Sequence, residues 1–141
     1  MSKIASERKI LAASGIALGL LTVMLLGLPT AQAENHNFAL TAEVLPNGQY
    51  AYKRGDSPAA IPGPTLFVKQ GDTVRVTVTN NTDKPAGFKV PGLSNSSAAK
   101  ATSNGGTLSY TFTATKTGAY PYFGDGNELL GLFGAIVVDR A

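Results

Sequence analysis

The sequence contains no cysteine and no tryptophan, its two methionines are Met1 and Met24, and its single histidine is His36. Without cysteine there can be no disulfide, thiolate nucleophile, iron–sulfur cluster or cysteine-ligated zinc. With one imidazole, placed near the start of the chain, a Ser/His/Asp triad is excluded. Charge is also sparse. Twelve Lys and Arg stand against nine Asp and Glu, but Lys3, Arg8 and Lys9 with Glu7 belong to the first nine residues. From residue 34 onward the balance is nine against eight, a net +1. No Lys/Arg cluster remains there, so nucleic acid is not an expected partner, nor is a polybasic contact with a membrane. An apolar core must then hold the domain without cross-links.

The N-terminal segment has its own logic. A basic start is followed by the nearly unbroken apolar run from Ile10 to Leu28, a break at Pro29-Thr30, and the small-x-small pattern Ala31-Gln32-Ala33. That order reads as a secretory signal peptide over residues 1–33, cleaved after Ala33. The alternative is an uncleaved anchor, because about 20 apolar residues span a bilayer. Membrane attachment is expected only in that case. The remaining domain, residues 34–141, is expected to be periplasmic or extracellular.

Beyond the leader the apolar period is two. Val74, Val76 and Val78 alternate with Thr and Arg over 73–80, and Leu108, Tyr110 and Phe112 alternate with Ser and Thr over 107–114. Further short strands are predicted over 38–44, 65–68, 86–90, 118–123 and 135–139. Pro46-Asn47-Gly48, Pro62-Gly63-Pro64, Gln70-Gly71-Asp72, Asn104-Gly105-Gly106 and Lys116-Thr117-Gly118 supply turns between them. Regular short strands with no helical segment predict an all-β sandwich or barrel. Pro121 cannot donate to a ladder and predicts an edge or bulged strand. Ser94 to Ser103, rich in Ser, Ala and Asn, reads as a mobile surface loop. Asn80-Asn81-Thr82 and Asn95-Ser96-Ser97 match the glycosylation sequon.

Several ordered motifs resemble one family. The stretch from Pro62-Gly63-Pro64-Thr65 through Gln70-Gly71-Asp72-Thr73-Val74-Arg75-Val76 is similar to the opening of a multicopper oxidase cupredoxin domain. Phe112-Thr113-Ala114 with Gly118-Ala119-Tyr120, and Gly131-Leu132-Phe133-Gly134-Ala135-Ile136-Val137-Val138, resemble its later hairpin and closing strand. The first domain of copper nitrite reductases shares much of the pattern. The resemblance covers residues 61–140 and implies a Greek-key β-sandwich of the cupredoxin type with about seven or eight strands.

The copper ligands of that family are missing from this sequence. Where the family has its first His-x-His, this chain has Lys89-Val90-Pro91; where it has the second, Phe123-Gly124-Asp125. The resemblance places the type 1 cysteine near Gly124 and the axial methionine near Leu132. No His or Cys occurs from Asn37 to Ala141. Type 1 copper requires a thiolate and two imidazoles. Lys89, Pro91, Phe123, Gly124, Asp125 and Leu132 therefore stand at former ligand positions and bind no redox copper. Lys89 and Asp125 are expected to pair or to remain solvated, while Phe123 and Leu132 are expected to fill the space with apolar atoms.

Two other features suggest function. Tyr122, Leu129, Leu130 and Phe133 gather apolar surface at the same end and form a candidate contact patch for a protein partner or small ligand. Cleavage after Ala33 would leave Glu34-Asn35-His36 first, where an amine, two amides and an imidazole make a square-planar set for Cu(II) or Ni(II). No other cofactor is expected. On these grounds the chain is expected not to be an enzyme but an exported binding or interaction module. The alternatives are a copper-handling protein using Glu34, Asn35 and His36, and a degenerate oxidase-type domain acting beside a copper-loaded partner.

Overall fold

The computed structural model describes residues 32–141. The expected leader lies outside the described residues, except for Gln32 and Ala33. Among the described residues no helix is long and apolar enough to cross a membrane. Seven strands form, β1 (Asn35–Val44), β2 (Tyr50–Arg54), β3 (Leu66–Lys69), β4 (Thr73–Asn81), β5 (Gly106–Thr113), β6 (Gly118–Phe123) and β7 (Phe133–Asp139), with one 3-10 turn at Glu128–Leu130. One sheet has the order β2-β1-β4-β5 and the other β3-β7-β6. The β1–β4 and β3–β7 pairs are parallel, and the remaining pairs are antiparallel.

Alternation and register produce the core together. Val74, Val76 and Val78 face Phe112, Tyr110 and Leu108 across β4–β5, while Phe38 and Leu40 lie beside Val76 and Val78 across β1–β4. Every one of these side chains is buried, and Leu66, Val68, Ile136 and Val138 of the second sheet join them in one cluster. A one-residue slip of β4 would turn its valines to water, each forfeiting about 1.5–3 kcal/mol. Register is thus fixed by burial.

Three sequence expectations need correction. The stretch 86–90 makes only isolated bridges, from Ala86 to Ala101 and from Lys89 to Ser97 and Phe123, instead of a strand. β2 escaped the pattern because Tyr50, Ala51 and Tyr52 are all buried, which erases alternation. The Ser94–Ser103 segment is pinned to the body. Ala101 is buried, the Asn80 side-chain amide donates to the carbonyls of Ala101 (3.2 Å) and Thr102 (3.2 Å), and Tyr110 donates to the Ser96 carbonyl at 2.7 Å. Asn80 itself is fully buried, so the first sequon is a structural element and offers no accessible acceptor. Pro121 sits on β6 at a sheet edge, where its missing N–H leaves no interior bond unmade.

Candidate functional site

Lys89, Phe123, Gly124, Asp125 and Leu132, five of the six positions that the resemblance aligns with copper ligands, lie together in the fold. Lys89 and Phe123 exchange backbone hydrogen bonds of 3.1 and 2.9 Å, the Gly87 N–H donates to the Gly124 carbonyl at 3.1 Å, and the Gly124 N–H donates to the Leu132 carbonyl at 2.9 Å. Protein hydrogen bonds therefore tie together the loops that a metal would cross-link. The chain then turns through left-handed conformations at Asp125 (φ 36°) and Gly126 (φ 119°). Asp125 packs against Gly87, where a Cβ would lie 2.8 Å from the Asp125 Cβ. Only a residue without a side chain leaves that room.

This turn delivers two carboxylates to one ammonium. Lys89 Nζ lies 3.4 Å from Asp125 Oδ1 and 3.4 Å from Glu128 Oε1, each side chain about one third exposed. It also lies 5.8 Å from the centre of the Phe123 ring. Partial desolvation works against the Lys89 charge, but Glu128 and Asp125 outweigh it and raise the Lys89 pKa. Backbone N–H groups, including that of Gly126 at 2.7 Å, hold Glu128 below the usual carboxylate range, with Lys89 adding to the effect against desolvation. Glu128 was not foreseen as a partner of Lys89, since nothing in the sequence marks the 3-10 turn that brings it round. Asn127, buried and donating to the Pro85 carbonyl at 2.8 Å, anchors that turn.

Leu132 is fully buried, as an apolar filling requires. Phe123 is only half-buried, so it covers the site instead of filling it. Pro91 is exposed beside Gly92 and takes no part in the cluster. Copper does not fit these residues. A Cβ on Gly124 would stand 2.7 Å from the Leu132 Cβ and 3.1 Å from the Tyr52 hydroxyl oxygen, so the cysteine position is already occupied by its neighbours. Among the described residues no group of three His, Cys, Asp or Glu side chains is arranged to hold a metal. Lys89 is an ammonium, and Pro91, Phe123, Gly124 and Leu132 carry no donor, so no redox step can be routed through this end.

The candidate contact patch divides. Tyr122 is fully buried, donates to the Pro64 carbonyl at 2.6 Å and stacks on Phe88, so it is core and is removed from the patch. Leu129 is completely exposed, while Leu130 and Phe133 are half-buried behind it. Tyr52 lies beneath, fully buried, and its hydroxyl has no hydrogen-bond partner among the described residues. A groove of about 570 Å³ opens nearby between Tyr52, Arg54, Ser57, Pro58, Pro62 and Pro64.

At the other candidate site, His36 is not in a frayed terminus but on β1. Its Nε2 lies 2.7 Å from Asp72 Oδ2, and the Glu34 N–H donates to Asp72 Oδ1 at 2.9 Å. Asp72, unnoticed in the sequence beyond its turn, holds both outer donors of the Glu34-Asn35-His36 set. A square-planar metal there would have to strip both from a buried carboxylate.

A four-stranded and a three-stranded sheet, each with one parallel pair among antiparallel ones, define a cupredoxin-type sandwich. The chain belongs to the multicopper oxidase family, whose model, described as "Multicopper oxidase", matches residues 57–141. Among solved structures it is similar to a multicopper oxidase from Pseudomonas thermotolerans (24% identity, TM-score 0.58, 77% of this chain and 30% of that one). It is also similar to a copper-containing nitrite reductase from Thermus scotoductus (25%, 0.53, 77% and 28%) and a laccase from Botrytis aclada (21%, 0.58, 79% and 23%). The chain spans less than a third of the length of each of these three. No curated protein sequence matches it. The family assignment corrects the expectation that the chain is not an enzyme. The missing ligands do not by themselves end an enzymatic role, because the chain belongs to the multicopper oxidase family and is similar to a multicopper oxidase, a laccase and a nitrite reductase.

Proposed function

We propose that this chain is an exported cupredoxin domain of a copper-oxidase system, contributing to it by contact with a copper-loaded cupredoxin domain. The closure of its ligand end supports this reading most directly. Lys89, Asp125 and Glu128 form an ion cluster, Leu132 is fully buried, and Gly124 has no room for a ligand side chain. Backbone hydrogen bonds among Gly87, Lys89, Phe123, Gly124 and Leu132 hold the loops together, which suits a domain that packs and positions. Leu129, fully exposed beside half-buried Leu130 and Phe133, offers the apolar contact for a protein partner. Export places it in the periplasm or outside the cell, as the leader motif implies.

The test is metal analysis of the exported protein, isolated alone and isolated with whatever it stably binds. The chain alone should take up no copper at Lys89, Asp125 and Glu128 and show no intense thiolate–copper absorption after Cu(II) addition. Copper in the assembly should reside on the co-isolated polypeptide, and oxidase turnover should require it. Tight copper binding by the isolated chain that is lost in Asp125→Asn, or turnover by the chain alone, overturns the proposal.

A further inference from the structure

The backbone nitrogen that donates to Asp72 belongs to Glu34, and it is one half of the Ala33–Glu34 peptide bond. The Ala31-Gln32-Ala33 pattern sets leader cleavage at that same bond. We infer that Asp72 is a receptor for the processed N-terminus: cleavage after Ala33 frees an α-ammonium on Glu34 that anchors on the Asp72 carboxylate and locks β1 against β4. The inference rests on the export reading above and adds a structural consequence to processing.

The receptor is already formed. Asp72 is 2% exposed, and its carboxylate accepts from the Glu34 N–H at Oδ1 (2.9 Å) and from the Lys69 N–H at Oδ2 (2.8 Å), with His36 Nε2 also 2.7 Å from Oδ2. Among the described residues its ion-pair partner is His36, and that only when the imidazole is protonated. With His36 neutral, a buried carboxylate is met by neutral donors alone, an arrangement that costs stability unless a cation joins it. The Glu34 nitrogen is held in place from its other side, because the Glu34 carbonyl accepts from the Thr73 N–H at 2.9 Å and Asn35 pairs with Thr73. Gln32, Ala33 and Glu34 precede the strand and are exposed, with the Glu34 nitrogen as the point at which this segment meets the body.

Cleavage is hydrolysis. The Ala33 C–N bond breaks, water gives its hydroxyl to the Ala33 carbonyl carbon and a proton to the Glu34 nitrogen, and solvent supplies the second proton of the ammonium. A neutral N–H donor becomes a cationic one at an unchanged position, and charge-assisted hydrogen bonds are about twice as strong as neutral ones. The other groups facing this pocket are the Glu34 carboxylate, His36, Lys69 of β3 and Asp139 of β7. Desolvation opposes the Asp72 charge, but the Glu34 and Lys69 backbone donors with His36 outweigh it and lower the Asp72 pKa. Pairing raises the amine above its ordinary value of about 7.7–8.0. The anchor is therefore complete below about pH 7.7 and lost as pH rises through the raised amine pKa. At the acid end it is lost as pH falls below about 3.9 through the lowered Asp72 pKa.

The experiment begins with mass spectrometry of the exported protein, expected to start at Glu34. Urea unfolding then compares that protein with its α-N-acetylated form and with a form retaining Ala33. At pH 6.5, acetylation or retention of Ala33 should lower the folding equilibrium constant about five- to tenfold. The difference should vanish near pH 10, and the Glu34 amine should titrate above its ordinary range. Asp72→Asn should abolish the effect of acetylation; if that variant fails to fold, the acetylated and Ala33-retaining forms still decide. An N-terminus elsewhere overturns the processing step. A Glu34 N-terminus whose acetylation changes neither stability nor its pH profile overturns the anchor and leaves export standing.

Discussion

Leu132→Ala is the sharpest probe of how this loop end is packed. Leu132 is fully buried, its carbonyl accepts from Gly124, and its Cβ lies where a side chain on Gly124 would have to stand. Truncation removes the transfer energy of the lost methyl groups and leaves a cavity bounded by the Gly124 backbone and the Tyr52 ring. Such changes cost about 2–5 kcal/mol. Part of this is offset if water enters, because the Tyr52 hydroxyl has no partner among the described residues and a hydrogen bond to it returns about 1 kcal/mol. A net loss of about 2–4 kcal/mol is expected. With a urea slope of roughly 2 kcal/mol/M, the midpoint should fall by about 1–2 M at unchanged slope. Equilibrium unfolding followed by fluorescence of the five tyrosines reads this directly. A loss under about 0.5 kcal/mol would mean that the site collapses freely and that Leu132 is no structural substitute for coordination.

Phe123→Ala should cost less than Leu132→Ala, roughly 1–2 kcal/mol, because half of that ring is already in water; unfolding midpoints measured side by side decide the order. Tyr52→Phe should be neutral or raise the midpoint, since it removes a buried hydroxyl without a partner, and a fall of more than about 1 kcal/mol would reveal a hydrogen bond there. Glu128→Gln should destabilise at neutral pH and much less in acid. The depressed Glu128 pKa contributes stability that is present above about pH 4.3 and lost as pH falls through the folded value. Lys89 acts at the opposite limit. Its raised pKa contributes below about pH 10.4 and fades as pH rises through the folded value, so Lys89→Met and the parent should converge in strong alkali.

Much of the fold was legible because burial and alternation coincide. β4 and β5 show it plainly, with valines facing Leu108, Tyr110 and Phe112 in the register that the pattern requires. β2 was not legible, because Tyr50, Ala51 and Tyr52 are all buried and no period survives. The Ser94–Ser103 segment misled through composition. Its polar side chains look solvated, but its backbone carbonyls are what Asn80 and Tyr110 bind. At the site, the family resemblance put Lys89, Phe123, Gly124, Asp125 and Leu132 at one end, and hydrogen bonds and an ion pair link them. Their order of burial was hidden, since Phe123 and Tyr122 are neighbours on β6 and strand alternation alone sends one inward and the other toward the surface. Asp72 was legible as a turn residue but not as an acceptor, since both Glu34 and His36 reach it only through a parallel β1–β4 pair that is remote in sequence.

The loop end of this sandwich faces one physical problem: segments from different strands must stay together. Here the solution is distributed. The reciprocal Lys89–Phe123 pair and the Gly87–Gly124 and Gly124–Leu132 bonds run through backbone groups that any side chain would still supply. These bonds constrain geometry without specifying ligands, so the loops keep their arrangement while their side chains are free to change. What did change is coupled. Gly124 admits the inward Leu132, and Gly87 admits Asp125, which with Glu128 balances Lys89. A cysteine at Gly124 would bring its Cβ to 2.7 Å from the Leu132 Cβ and 3.1 Å from the Tyr52 hydroxyl oxygen, so admitting it requires trimming a fully buried core residue. Gly124 with Leu132 and Gly87 with Asp125 are therefore matched pairs, in which the small residue leaves the room that its neighbour takes.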